Sequence, residues 1–195
     1  MKIAVIGTGY VGLVQGVIMS EFGSEVICVD KSDEKIEKLK KGELPIYEPG
    51  LLELLHKNQK AKRISFTTDT EEAVKNSEVI FIAVGTPASE DGSADLSALL
   101  NVATEIGTYI DSYKVIVNKS TVPVGTGRKV ISIIEEQIKN RKENIEFDVV
   151  SNPEFLREGK AVGDCLRPNR IVIGTDSEKA KEIMAKVYNV LYINA

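Results

Sequence analysis

Five short runs of this sequence are apolar on consecutive residues, 3–6, 26–29, 79–84, 115–117 and 171–173, and a sixth, 147–150, is apolar but for Asp148. A strand with one wet face alternates apolar and polar side chains. A strand covered on both faces reads as an unbroken apolar run. These runs are rich in Val and Ile, which suit strands. A weaker run, 64–66, fits an edge strand. Helical spacing fills the intervals. Val11, Val14, Val17, Ile18 and Phe22 share a face over 11–22, and Ile36 and Leu39 point inward from the charged stretch 33–41, which Gly42 stops. Further helices are predicted over 51–55, from Asp69 through Val74, from Asp95 to about residue 110, over 126–139 and over 177–191. Asp69 followed by Glu72 has the form of a capping box, and Thr126 reads as a helix cap. Such alternation from the first residue implies parallel strands joined by helical crossovers.

The first run leads into Gly7-Thr8-Gly9-Tyr10-Val11-Gly12, the pattern G-x-G-x-x-G. Alone the pattern is weak, but here it follows a buried strand and opens an amphipathic helix. Gly7 permits a tight turn, Gly9 lets a pyrophosphate approach the backbone, and Gly12 lets the helix pack on the strand. The free N–H groups at the helix start favour an anion. The second run ends at Asp30, 23 residues after Gly7. A carboxylate there accepts from ribose hydroxyls and repels a 2′-phosphate, so NAD is favoured over NADP, a preference that Lys31 softens. The expected fold class is therefore α/β: a doubly wound, mainly parallel Rossmann-type sheet with helices on both faces.

Composition excludes other classes. The net charge of −4 argues against nucleic-acid binding through overall charge. No apolar run approaches the roughly 18–20 residues that span a bilayer, so no membrane partner is expected. Two distant cysteines, Cys28 and Cys165, form no disulfide framework, and a reducing cytoplasm is the expected setting. Cys28 reads as core. A single histidine, His56, makes a His-based metal site improbable, and no metal is expected.

Several segments in order carry a more specific signal. They are the glycine motif, Leu44-Pro45-Ile46-Tyr47-Glu48-Pro49-Gly50-Leu51, Val84-Gly85-Thr86-Pro87, and Asp91-Gly92-Ser93-Ala94-Asp95-Leu96. Lys119-Ser120-Thr121-Val122-Pro123-Val124-Gly125-Thr126, Ser151-Asn152-Pro153-Glu154-Phe155-Leu156-Arg157-Glu158-Gly159 and Pro168-Asn169-Arg170-Ile171-Val172-Ile173-Gly174 follow. Together they resemble the UDP-glucose/GDP-mannose dehydrogenase family over nearly the whole chain. The Pro-Ile-Tyr-Glu-Pro-Gly segment favours the UDP-glucose branch over GDP-mannose or UDP-N-acetylmannosamine as substrate.

The resemblance implies two successive oxidations at C6 of UDP-glucose with two NAD, giving UDP-glucuronate through a cysteine thioester. It carries Gly7, Gly9, Tyr10, Val11 and Gly12 over as the turn against NAD, and Asp30 and Lys35 to the adenosine ribose. Gly85, Thr86 and Pro87 would lie along the cofactor, and Ser120 and Thr121 near the nicotinamide, Thr121 also positioning a catalytic water. Glu154 would be the acid/base for thioester hydrolysis, as a carboxylate suits that task. Glu158 would lie between cofactor and substrate, and Phe155, Leu156 and Arg157 would line the sugar-nucleotide pocket. Pro153 suits a first helical turn, which would put Glu154 and Glu158 on one side.

The family's Gly-Gly-x-Cys-Phe-Pro-Lys-Asp nucleophile motif has no match here, and Cys165 reads as a packing variant. Residues 1–195 thus read as one NAD-binding domain. The family's central helix and UDP-binding domain would lie outside it, and the ending at Tyr192-Ile193-Asn194-Ala195 resembles a strand or its exit loop. Family members dimerise through the central helix, so a monomer is expected for this chain alone. It should bind NAD without turning over, its partner being the missing C-terminal half. A non-catalytic NAD sensor or regulatory module is the competing reading. A relative of 3-hydroxyacid dehydrogenases ranks lower, because it would lack Asn152-Pro153-Glu154-Phe155.

Overall fold

A computed structural model of the chain describes residues 1–90 and 92–192. Asp91 and residues 193–195, both used in the reading above, lie outside the described residues. Six strands form one sheet: β1 Lys2–Ile6, β2 Glu25–Val29, β3 Ile64–Thr67, β4 Val79–Ile82, β5 Lys114–Asn118 and β6 Phe147–Ser151. Their order is β3-β2-β1-β4-β5-β6, and every pairing is parallel. The expected doubly wound α/β fold is the one observed. Successive strands run outward on one side of β1, then restart at β4 on the other. That reversal opens a crevice at the carboxyl ends of β1 and β4, where open α/β sheets bind ligands.

The unbroken apolar runs have the expected cause. Within β1, Ile3 and Val5 join one core and Ala4 and Ile6 the other. Helix α1 Tyr10–Glu21, α2 Asp33–Lys40, α3 Leu51–Lys60, α7 Ala161–Leu166 and α8 Glu178–Tyr192 contribute to the first core. The second core takes α4 Thr70–Lys75, α5 Ser97–Tyr109 and α6 Thr126–Asn140. Helix ends follow local chemistry. Asp69 caps α4 by accepting from the Glu72 N–H at 2.9 Å. Gly42, at φ +79°, closes the turn after α2.

Three expectations are corrected. Residues 171–173 form no strand: only Gly174 pairs with Ser151, through N···O contacts of 2.8 and 2.9 Å. Val172 instead gives its carbonyl to the Asn152 side chain at 2.7 Å, and its own side chain is exposed. Tyr192 closes α8, so the chain is helical there rather than extended. Gly125, in the left-handed region at φ +89°, caps α6, and Thr126 lies inside the first turn with its hydroxyl donating to the Pro123 carbonyl.

Candidate active site

The glycine turn leaves β1 as its spacing predicts. Gly7 sits at φ +101°, and a Cβ there would lie 2.7 Å from the Ala83 carbonyl oxygen. A Cβ on Gly12 would come within 1.9 Å of the Gly7 oxygen, so α1 packs directly on the turn. Gly9 differs from both. It is the N-cap of α1, and a Cβ there would meet nothing within 4 Å. No side chain caps this helix, and its first turn holds no acidic residue. The first-turn N–H groups therefore keep their affinity for an anion, and the space over Gly9 gives a phosphate room to reach them.

Asp30 stands at the exit of β2 beside this turn. Its carboxylate accepts from the Thr8 N–H at 3.0 Å, the Thr8 hydroxyl at 2.7 Å, the Ser32 N–H at 3.1 Å and Lys35 Nζ at 2.9 Å. Burial alone would raise its pKa. The bonds from Lys35, Thr8 and Ser32 outweigh burial and hold it down at about 2. Three of the four bonds fall on Oδ2, which leaves Oδ1 with one and with room for a hydroxyl donor. Lys35 and Asp30, both expected near the ribose, are thus brought together. Thr8 belongs to this candidate site through its two bonds to Asp30 and has no role in the sequence reading. It occupies a free position of the motif, and the only signal was a hydroxyl next to the first glycine.

The loops after β4 and β5 are strapped to one another. Thr86 donates its hydroxyl to the Thr121 carbonyl at 2.7 Å, and Ser120 does so to Val84 at 2.7 Å. A Cβ on Gly85 would meet nothing within 4 Å. Pro87 accepts from the Asp95 N–H at 2.8 Å, which closes the loop. Gly85, Thr86, Pro87, Ser120 and Thr121 therefore lie together at the carboxyl end of the sheet.

The segment after β6 departs from expectation. Residues 152–157 are neither helix nor strand, and Glu158 to Lys160 form a turn before α7. Glu154 and Glu158 accordingly do not share a helical face. Glu154 folds back to accept from the Leu156 N–H at 2.6 Å. With Phe155, Leu156 and Arg157 it lines a cavity of about 290 Å³ that also holds Lys119 and Cys165. Glu158 does not line it. It lies within electrostatic reach of Tyr10, whose hydroxyl burial, Glu48 and Glu158 push up to about 12. The Arg157 guanidinium pairs with Asp164 at 2.6 Å, and Arg170 stacks over the Phe155 ring at 4.1 Å.

Lys119 links the two loops. Its Nζ donates to Asn152 Oδ1 at 3.1 Å, which also accepts from the Tyr188 hydroxyl at 2.6 Å. Lys119 is buried, and burial pulls its ammonium down to about 8. Burial pushes the Cys165 thiol up to about 11 and the Cys28 thiol up to about 12. Cys28 is packed under Gly16, where a Cβ would lie 2.5 Å from its sulfur, which agrees with its reading as core. Neither thiol has the lowered pKa of an activated nucleophile.

A 3-2-1-4-5-6 parallel sheet, a glycine turn opening a helix and an acid at the end of β2 define a dinucleotide-binding domain. The profile of the UDP-glucose/GDP-mannose dehydrogenase family, NAD binding domain, matches residues 1–192, and the chain belongs to that family. It is 52% identical to the UDP-glucose 6-dehydrogenase TuaD of Bacillus subtilis over 187 residues, which are 96% of this chain and 40% of the relative. A UDP-glucose dehydrogenase from the archaeon Pyrobaculum islandicum superposes with a TM-score of 0.93 at 40% identity, over 97% of this chain and 44% of that one. A GDP-mannose dehydrogenase from Pseudomonas aeruginosa gives 0.93 and 40%, over 98% and 44%. The chain thus spans about two-fifths of the length of these relatives.

Proposed function

We propose that these residues are the cofactor half of an enzyme that oxidises C6 of UDP-glucose to the carboxylate in two hydride transfers. The observation that carries this reading is the crevice itself: a helix start without a cap, open space over Gly9, and Asp30 held ionised beside it. Bound NAD supplies the hydride acceptor. Asp30 and Lys35 would hold the adenosine ribose. Gly7, Gly9, Tyr10, Val11 and Gly12 would seat the pyrophosphate, and Gly85, Thr86, Pro87, Ser120 and Thr121 would flank the nicotinamide ribose and ring. Glu158 would stand at the nicotinamide end. Glu154 would take a proton from the water that hydrolyses a thioester, with Thr121 helping to place that water. Phe155, Leu156 and Arg157 would face the sugar nucleotide.

The choice of UDP-glucose as substrate is supported by the Pro45-Ile46-Tyr47-Glu48-Pro49-Gly50 segment and by the 52% identity to a UDP-glucose 6-dehydrogenase. The thiol that carries the thioester would come from outside these 195 residues, because Cys28 and Cys165 are both held as thiols by burial. Residues 1–195 would then act as one NAD-binding domain that completes its chemistry only with the remaining half. Calorimetric titration with NAD and NADP tests the reading. Saturable uptake of NAD is expected, with NADP weaker by at least tenfold because its 2′-phosphate would meet the Asp30 carboxylate. No heat of binding from folded chain would refute it.

A further inference from the structure

The segment Leu44 to Leu51 helps to assign the family, yet beyond the effect of Glu48 on Tyr10 its side chains have no part in the site described so far. Its glutamate has a specific set of partners. Glu48 is 4% exposed. It accepts from the Tyr10 hydroxyl, from the Gly159 N–H at 2.8 Å and from the Val162 N–H at 3.4 Å. Gly159 N–H also reaches the Tyr10 oxygen at 3.2 Å. No ion pair to Glu48 occurs among the described residues. A buried charge without a counter-ion is costly unless donors surround it, and every partner here is a donor. Only an acceptor-only group meets all of them, and a glutamine would turn an N–H against another N–H.

The three partners belong to segments that are remote in sequence. Tyr10 is the first residue of α1, inside the glycine turn. Gly159 follows Glu158 directly and sits at φ +81°, a conformation in which glycine turns the backbone sharply. Val162 belongs to α7. Glu48 itself is anchored, since its carbonyl accepts from the Leu51 N–H at 3.2 Å and Leu51 is fully buried at the start of α3. One rigidly held carboxylate thus clasps the glycine turn to the backbone beside Glu158.

We propose that Glu48 is a positioning residue that sets the separation between the glycine turn and the Glu158 segment, and thereby the affinity for the nicotinamide half of NAD. The inference rests on the reading that Glu158 stands at the nicotinamide end. The adenosine and diphosphate half is held elsewhere, by Asp30 and the α1 start, so loss of the clasp separates the two halves of the ligand. A buried donor left without its acceptor disfavours the clasped arrangement, and the expected effect on NAD is about tenfold.

Calorimetric titration of the 195-residue chain with NAD and with ADP tests this in Glu48→Gln and Tyr10→Phe. Glu48→Gln is expected to weaken NAD about tenfold and to leave ADP within about twofold. Tyr10→Phe, which keeps the two backbone donors on Glu48, is expected to weaken NAD about threefold and decides the matter where Glu48→Gln does not fold. A clasp that merely stabilises the fold would lower the melting temperature and move neither affinity, and that result overturns the proposal. Equal loss of NAD and ADP overturns it too. Wild-type chain that takes up ADP but not NAD would remove the underlying reading as well. Unchanged NAD binding by the variants beside normal wild-type binding removes the positioning role alone.

Discussion

Folding favours the charge of one ionisable side chain near the site and disfavours that of another, and stability rises with pH through both. Asp30 has its pKa lowered to about 2 in the folded chain, against about 3.9 for a free aspartate. Its ionised form is thus favoured by folding, by about 2 kcal/mol. That contribution is fully present above pH 4 and is lost as pH falls toward 2, where folded Asp30 also takes up its proton. Asp30→Asn should therefore lower unfolding free energy at pH 6, and urea titrations at decreasing pH should show the gap to wild type closing. A gap that stays constant down to pH 2 would sink the assignment. For Lys119 the charged form is the one that folding disfavours. Burial pulls it down to about 8, so the folded chain binds that proton less tightly than the unfolded chain does. Its charge then costs up to about 3 kcal/mol below pH 8, and stability from this group rises between pH 8 and about 10.4. Lys119→Met gives up the bond to Asn152, worth about 1 kcal/mol, and removes the charge. The variant should be more stable than wild type by about 1–2 kcal/mol at pH 7, with the gain fading toward pH 10. A less stable variant at pH 7 would show that Asn152 depends on the ammonium more than the burial penalty implies.

Element by element, the turn between β1 and α1 allows a sharper test, because its glycines face opposite surroundings. An alanine at Gly12 drives a Cβ to 1.9 Å from the Gly7 oxygen, a backbone atom that cannot swing aside. Gly12→Ala should cost more than about 3 kcal/mol, by prising α1 off the turn. An alanine at Gly9 meets open space at an ordinary negative φ of −69°. Gly9→Ala should leave unfolding within about 0.5 kcal/mol of wild type and still weaken NAD, because its methyl stands where a phosphate would approach. Equal destabilisation by both, read from denaturant titration, would refute this division of roles. The same turn shows why much of the fold could be read in advance. The runs of β1, β2, β4 and β5 are apolar because helices cover both faces, a cause visible within a few residues. The failures had remote causes. Residues 171–173 look like a strand, but the Asn152 side chain takes the Val172 carbonyl and only Gly174 meets the β6 edge. Pro153 looks like a helix start, but the Asn152 N–H is drawn to the Asn118 carbonyl at 3.0 Å and the Glu154 carboxylate closes its own loop. At the site, Asp30 and the glycines were legible from local pattern. Thr8 and the Lys119–Asn152 link were not, because each depends on a partner 22 or 33 residues away.

For the molecule as a whole, the contrast between the built crevice and the inert thiols has a kinetic consequence. The cofactor side is assembled: three loops at the carboxyl end of the sheet are tied by the Thr86–Thr121, Ser120–Val84 and Lys119–Asn152 bonds. NAD at a hundredfold excess over its dissociation constant should add about 2.7 kcal/mol to stability. In a domain of this size that is a rise of roughly 5–10 °C in melting temperature. On the proposed function, oxidation to the carboxylate needs more: a thiol that captures the aldehyde formed first, before a second hydride leaves. Cys165 shares a cavity with Glu154, yet with its thiol pushed up to about 11 it is protonated near neutrality and a poor nucleophile. The chain mixed with NAD and UDP-glucose should therefore show the thermal shift and no sustained rise in the absorbance of reduced nicotinamide. On the same proposal, supplying the other part of the proposed enzyme as a separate polypeptide should restore the rise, and Glu154→Gln should then abolish sustained turnover while leaving the thermal shift with NAD intact. Steady reduction of NAD by the 195 residues alone would place a working nucleophile inside them, and Cys165 would be the first residue to replace.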